Sequence, residues 1–162
     1  MSTEPESAGL RIRRMVFPDL EAVLGIEQVS FVQPWTRGAF VQELIKSYAV
    51  LRVAEIGSRI AGYVIAWLIE DELHIANVAV HPEFRRRGIA ERLILTVLAE
   101  DPRIRWAGLE VRRGNAAARA MYRKLGFEET GVRERYYTTE GEDAILMTLY
   151  VDAGESGNND TL

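Results

Sequence analysis

The sequence predicts an α/β domain built on a central mixed, mostly antiparallel sheet with one parallel strand pair and helices on both faces. Three observations carry this. Segments with the two-residue period of strands alternate with segments of helical period between residues 10 and 151, in the order β-α-α-β-β-β-α-β-α-β-β. The stretch 73–111 reads strand–helix–strand, an arrangement that sets its two strands parallel through a right-handed crossover. Short turns such as Ile56-Gly57-Ser58-Arg59 join other strands directly and so make them antiparallel.

Taken in order, Leu10–Met15 alternates well enough for a strand, and Pro18-Asp19 opens a helix through Leu20, Val23, Leu24 and Glu27. Gln33-Pro34-Trp35 interrupts it, and Thr36 is placed to cap a second helix over Phe40, Leu44 and Ile45. Strands follow at 48–55 and 60–69, then at 73–80, whose apolar run suits a central position covered on both faces. The segment 88–100 is helical, with Ile89, Leu93, Ile94, Val97 and Leu98 on one face. A strand at 104–111 leads to Asn115, a cap for a helix over 116–125 that stops at Gly126 in the left-handed conformation. Strands at 127–137 and 144–151 close the domain. Residues 1–9 read as a flexible N-terminus and 152–162 as a polar, disordered tail.

At 162 residues, 48% of them apolar and 27% charged, the chain has the composition of one soluble globular domain. No apolar run is long enough to span a bilayer, and residues 1–9 lack the pattern of a secretory signal. There is no cysteine, which excludes disulfides, zinc–thiolate sites and a cysteine nucleophile together. A cytoplasmic enzyme without a metal is the natural expectation. His74 and His81 have no partners at metal-ligand spacing and read as structural.

Charge is unevenly spread. Residues 81–125 hold 11 Lys/Arg against 5 Asp/Glu, and the rest of the chain 9 against 19. A basic centre in an acidic protein suits a local anionic ligand, not a long nucleic-acid track or a membrane surface; solvated helix faces are the plain alternative. The anion has an obvious place. Between the strand at 73–80 and the next helix runs Arg85-Arg86-Arg87-Gly88-Ile89-Ala90. Unsatisfied amides at a helix N-terminus stabilise an anion there, and Gly88 lets oxygens approach the backbone. Three guanidinium groups add charge at the same rim. No Gly-Lys-Ser/Thr follows and the three glycines of a dinucleotide fingerprint are missing, so neither ATP nor NAD is indicated.

Asn77-Val78-Ala79-Val80-His81-Pro82-Glu83-Phe84, continued by the arginine loop, resembles the acetyl-CoA-binding motif of the GNAT acetyltransferase superfamily. Leu109–Phe127, with Arg135-Tyr136-Tyr137 and Glu142-Asp143-Ala144, resembles its second half. Within the superfamily the likeness is to the bacterial RimI group, which acetylates the N-terminal alanine of a small-subunit ribosomal protein, S18. It covers residues 10–150; Ala90 stands where the loop usually has a second glycine. The resemblance implies a pair of splayed parallel strands that admits acetyl-CoA. The backbone of Val78, Ala79 and Val80 would hold its pantetheine arm, and Arg85, Arg86, Arg87, Gly88, Ile89 and Ala90 its diphosphate. Asn115 would be both cap and cofactor contact.

N-acetylation needs a neutral amine, an acetyl carbonyl held in line and a proton for the leaving thiolate. An α-amino group, with a pKa of about 7.7–8, is partly neutral near pH 7, so a modest general base suffices. Glu110, near the carboxyl end of its strand, suits that role directly or through one water; alternatively it is only an ion-pair partner of Arg112 or Arg113. Tyr122 stands two helical turns beyond Asn115 and, by the resemblance, donates to the departing thiolate; a core tyrosine is the other reading. By the resemblance, Tyr136 and Tyr137 cover the acceptor peptide, and Phe31, Pro34 and Trp35 form the other wall of its groove; each reads equally as ordinary core or rim packing, the simpler reading for Phe31. Glu140, Glu142 and Asp143 form an acidic hairpin that would attract a basic peptide, or is merely solvated. Acceptors of wider range, such as other N-termini, lysine or small amines, and a non-catalytic acyl-CoA-binding module are the competing functions.

Overall fold

The computed structural model of the chain describes residues 9–137 and 141–151; the expected N-terminal arm and tail fall outside these. Seven strands form one sheet in the order β1-β2-β3-β4-β5-β7-β6. They are β1 (Leu10–Arg14), β2 (Ala49–Ile56), β3 (Arg59–Ile69), β4 (Glu72–Val80), β5 (Trp106–Arg112), β6 (Glu128–Tyr137) and β7 (Glu142–Tyr150). Four helices, α1 (Leu20–Ser30), α2 (Arg37–Ile45), α3 (Ile89–Leu98) and α4 (Ala116–Lys124), complete the mixed α/β fold that the sequence indicates. The chain divides into two compact units, one of Met1–Trp67 with Ala76–Val97, the other of Leu68–Ile75 with Leu98–Leu162.

In the first unit β1 and β3 flank β2 in antiparallel register, with a bulge at Ala54/Glu55. Because alternate residues of a strand face opposite sides, Tyr63 and Gly62 of β3 meet different helices. Tyr63 joins Leu20, Val23 and Ile26 of α1 and Phe40 of α2 in one buried cluster. On the other face, a Cβ added to Gly62 would stand 3.4 Å from Leu93 of α3 and 2.8 Å from the Ala79 carbonyl oxygen. Helices thus cover both faces, and only a residue without a side chain lets β3 and β4 approach there. Thr36 caps α2, its hydroxyl accepting from the Ala39 amide at 3.1 Å, a bond worth about 1 kcal/mol.

In the second unit β5 pairs antiparallel with β7 along its whole length, and β7 with β6. The parallel pairing of β4 with β5 runs only from Glu72↔Trp106 to Ile75↔Leu109, although β4 continues to Val80 and β5 to Arg112. The strand expected from residue 104 begins at 106, because the Ile104 amide is taken by the Asp101 carbonyl in a turn through Pro102. The helix α3 ends at Leu98, two residues before the expected 100. Asn115 caps α4 by accepting from the Ala118 amide at 3.1 Å, and Gly126 follows the helix at φ 103°. No helix among the described residues is long and apolar enough to cross a membrane.

Candidate active site

The arginine loop begins where β4 ends. His81 caps a single 3-10 turn, Pro82–Phe84, its Nδ1 accepting from the Glu83 amide at 3.1 Å. Phe84 is buried and anchors the turn, while Arg87 and Arg59 lie with their guanidinium carbons 5.3 and 4.9 Å from its ring centre. Arg59 is also paired with Glu83 at 2.8 Å. Arg85 turns back and donates from Nε to the Val80 carbonyl at 3.3 Å. Arg86 and Gly88 both adopt positive φ, 65° and 72°. Left-handed residues in alternation with ordinary ones turn successive amides toward one side, a concave arrangement that binds anions. Ile89, buried at 3%, then roots the first turn of α3, whose free amides face the same end. Arg85, Arg86, Arg87 and Gly88 are exposed. The loop is thus a solvent-facing array of amides and guanidinium groups, of the kind that suits an anion. Val78 and Val80 are half-buried and Ala79 is buried at 8%.

In the second unit Glu110 lies on β5 with its side chain 16% exposed. Its cation is neither of the two neighbours that sequence offers. Arg133 of β6 pairs with it at 3.2 Å, whereas Arg112 pairs with Glu142 at 3.4 Å and Arg113 with Asp143 at 3.3 Å. Glu142 accepts in addition from the Gly114 amide at 2.7 Å. So these two acids of the last hairpin are engaged by the end of β5 and the residues that follow it. His74 of β4 feels both members of this pair: burial holds its imidazole below the usual histidine range, with the Glu110 charge opposing that and Arg133 adding to it.

Tyr122 is 6% exposed, and its ring meets Phe127 edge-on at 5.8 Å. Asn115 itself is exposed. Tyr136 and Tyr137 end β6, the main chain of Tyr137 opposite Glu142; their side chains and Glu140 lie outside the described residues. Trp35, half-buried, packs on Phe40 at 5.4 Å, and Phe31 packs against the same cluster, as expected for it. Among the described residues no group of three His, Asp or Glu is placed to hold a metal ion.

These elements have known counterparts. Residues 20–127 match the model of the acetyltransferase (GNAT) family. The chain belongs to that family. It is therefore an acetyl-CoA-dependent N-acetyltransferase. Among its curated relatives is an Escherichia coli K12 [ribosomal protein bS18]-alanine N-acetyltransferase, 36% identical over 135 residues, covering 81% of this chain and 90% of the relative. The Salmonella typhimurium protein of the same name is 39% identical over 138 residues, with the same coverage. The crystal structure of the ribosomal-protein-S18-alanine N-acetyltransferase from Escherichia coli superposes with a TM-score of 0.81 at 33% identity, covering 88% of this chain and 94% of that one.

Three features escaped sequence reading. Arg133 is remote in sequence from Glu110 and has no motif of its own. His74 is readable only through the β4–β5 register, which pairs it with Gly108, two residues before Glu110. Glu27 bonds to the loop carrying Trp35; its signal was present, an acid on the apolar stripe of α1 after Leu20, Val23 and Leu24.

Proposed function

We propose that the chain transfers the acetyl group of acetyl-CoA to the α-amino group of an N-terminal alanine, that of ribosomal protein S18, by direct attack in a ternary complex. The observation that carries this is the likeness, over four fifths of the chain, to curated enzymes of that activity. Residues 10–151 form the catalytic domain, and the site of action is the cytoplasm, where the ribosomal acceptor is made.

Acetyl-CoA supplies an activated thioester. The exposed guanidinium groups of Arg85, Arg86 and Arg87, with main-chain amides of the loop through Gly88, Ile89 and Ala90, bind its diphosphate. Val78, Ala79 and Val80 offer main-chain groups to the pantetheine arm, and Asn115, beyond its capping bond, a further polar contact. Glu110 accepts the proton of the attacking amine, directly or through one water. Its partial exposure supports that role, since it leaves room for a water or the amine to reach the carboxylate. Tyr122 donates from its phenol to the departing thiolate; burial beside Phe127 fixes the ring, and a fixed donor costs no reorganisation at the moment of reaction. Trp35, Tyr136 and Tyr137 hold the acceptor peptide.

Intact-mass analysis tests the acceptor. After incubation with acetyl-CoA, a peptide with the N-terminal alanine of S18 should gain one acetyl group at its α-amine. A peptide with a blocked N-terminus and an internal lysine should gain none; acetylation of the lysine peptide alone contradicts the proposal.

A further inference from the structure

Glu27 is the most buried acid among the described residues, 1% exposed, and no step of the chemistry uses it. Stripping a carboxylate of water costs several kcal/mol unless hydrogen bonds replace the lost hydration. Three do so, all from neutral donors. Oε1 accepts from the Trp35 amide at 2.9 Å; Oε2 accepts from Asn77 Nδ2 at 2.8 Å and from the Tyr63 hydroxyl. These donors come from the α1–α2 connection, β4 and β3 respectively. The Tyr63 phenol is pushed well above its usual range, by burial first and by the Glu27 charge second, so it stays a donor.

Glu27 also closes the α1–α2 connection from both ends. Its main-chain carbonyl takes the Phe31 amide at 3.1 Å, and its side chain takes the Trp35 amide. Thr36 follows at once as the cap of α2. The five residues 31–35 therefore form a loop whose two ends rest on one residue. That residue is in turn fastened to β3 and, through Asn77, to β4 one position before Val78.

We propose that Glu27 is a positioning residue for the acceptor: its carboxylate fixes the main chain at Trp35, and with it the wall against which the acceptor's first residues lie. This rests on the assignment of Trp35 to the acceptor site. Asn77 and Tyr63 hold the carboxylate still; Glu27 itself touches no reacting atom.

The test varies an N-terminal-alanine peptide at saturating acetyl-CoA with the full chain, and measures acetyl-CoA affinity separately by calorimetry. Glu27→Ala should raise the peptide KM about 10-fold, the effect of losing one charge-assisted hydrogen bond. Acetyl-CoA Kd should stay within about twofold, since none of its contacts bonds to Glu27. Glu27→Gln keeps a carbonyl oxygen for the Trp35 amide and should bring the peptide KM back to within about threefold of wild type. Tyr63→Phe, which loosens the carboxylate from behind, should raise it about threefold and supplies the result if Glu27→Ala does not fold. Parallel losses of kcat, peptide KM and acetyl-CoA affinity would mark a general structural role and overturn the inference. So would an unchanged peptide KM in Glu27→Ala, or in Tyr63→Phe where Glu27→Ala is unfolded. Trp35→Ala separates the two levels: if it leaves the peptide KM unchanged, the acceptor assignment fails and the positioning role falls with it. If it raises KM while the Glu27 and Tyr63 variants do not, only the positioning role fails.

Discussion

The carboxylate of Glu27 sits among three neutral donors in the unit that carries the donor loop, while that of Glu110 faces a guanidinium in the other unit. Both acids are shielded, yet they are shielded differently. Glu27's partners are a main-chain amide, a buried phenol and an amide side chain; the phenol is 0% exposed and cannot turn to water. Arg133, by contrast, is 56% exposed and held to Glu110 by a contact of 3.2 Å. Water screens the Arg133 end of that pair, whereas Glu27 is itself 1% exposed. A buried carboxylate ringed by donors is suited to holding geometry, and one that is open in part to water to the proton transfer proposed for it.

The contrast breaks most sharply at Glu110. Glu110→Gln should lower kcat by about 100-fold or more at neutral pH with acetyl-CoA affinity unchanged, and Tyr122→Phe by about 10-fold or more, as single general-acid and general-base losses do. Steady-state kinetics alongside calorimetry would show both; normal turnover in the two variants would remove the assigned chemistry. A smaller effect is expected at the partner. Arg133→Ala, at a side chain 56% exposed, should lower kcat far less than Glu110→Gln does. The same steady-state kinetics check it; a loss as large as that of Glu110→Gln would mean that Arg133 itself takes part in the chemistry.

The smallest effect concerns His74. Its folded-state pKa lies below the unfolded value of about 6.5, so the unfolded chain binds more protons across that interval. Stability should therefore be fully present above pH ~6.5 and decline as pH falls through the depressed folded value. Thermal melts from pH 8 to pH 5 would reveal the decline, and His74→Gln should flatten it; an identical slope in the variant would assign the decline to other groups.

What the sequence makes legible is what is local in it. Thr36 and Asn115 cap their helices because a capping side chain reaches only two or three residues ahead. The arginine loop is readable for the same reason, strand, glycine and amphipathic helix being contiguous. The bulge at Ala54/Glu55 depends on the neighbouring strands and leaves no pattern, whereas the late start of β5 had a local signal in Asp101-Pro102. Glu27 is the clearest case. Its partners lie 8, 36 and 50 residues away, so its position on an apolar stripe could flag it without naming what it holds. Likewise the residues flanking Glu110 suggested Arg112 or Arg113, and only the β5–β7–β6 register brings in Arg133.

The proposed mechanism centres on proton transfer by Glu110, and single-turnover rates of wild type and Glu110→Gln across pH 6.5–9.5, both substrates saturating, test it most directly. If Glu110 takes the amine proton, the two rates differ by about 100-fold near neutrality. The gap then narrows above pH ~8, where the α-amine has already lost its proton to solvent. A ratio that stays constant over the whole range, or a variant that turns over like wild type, would contradict it.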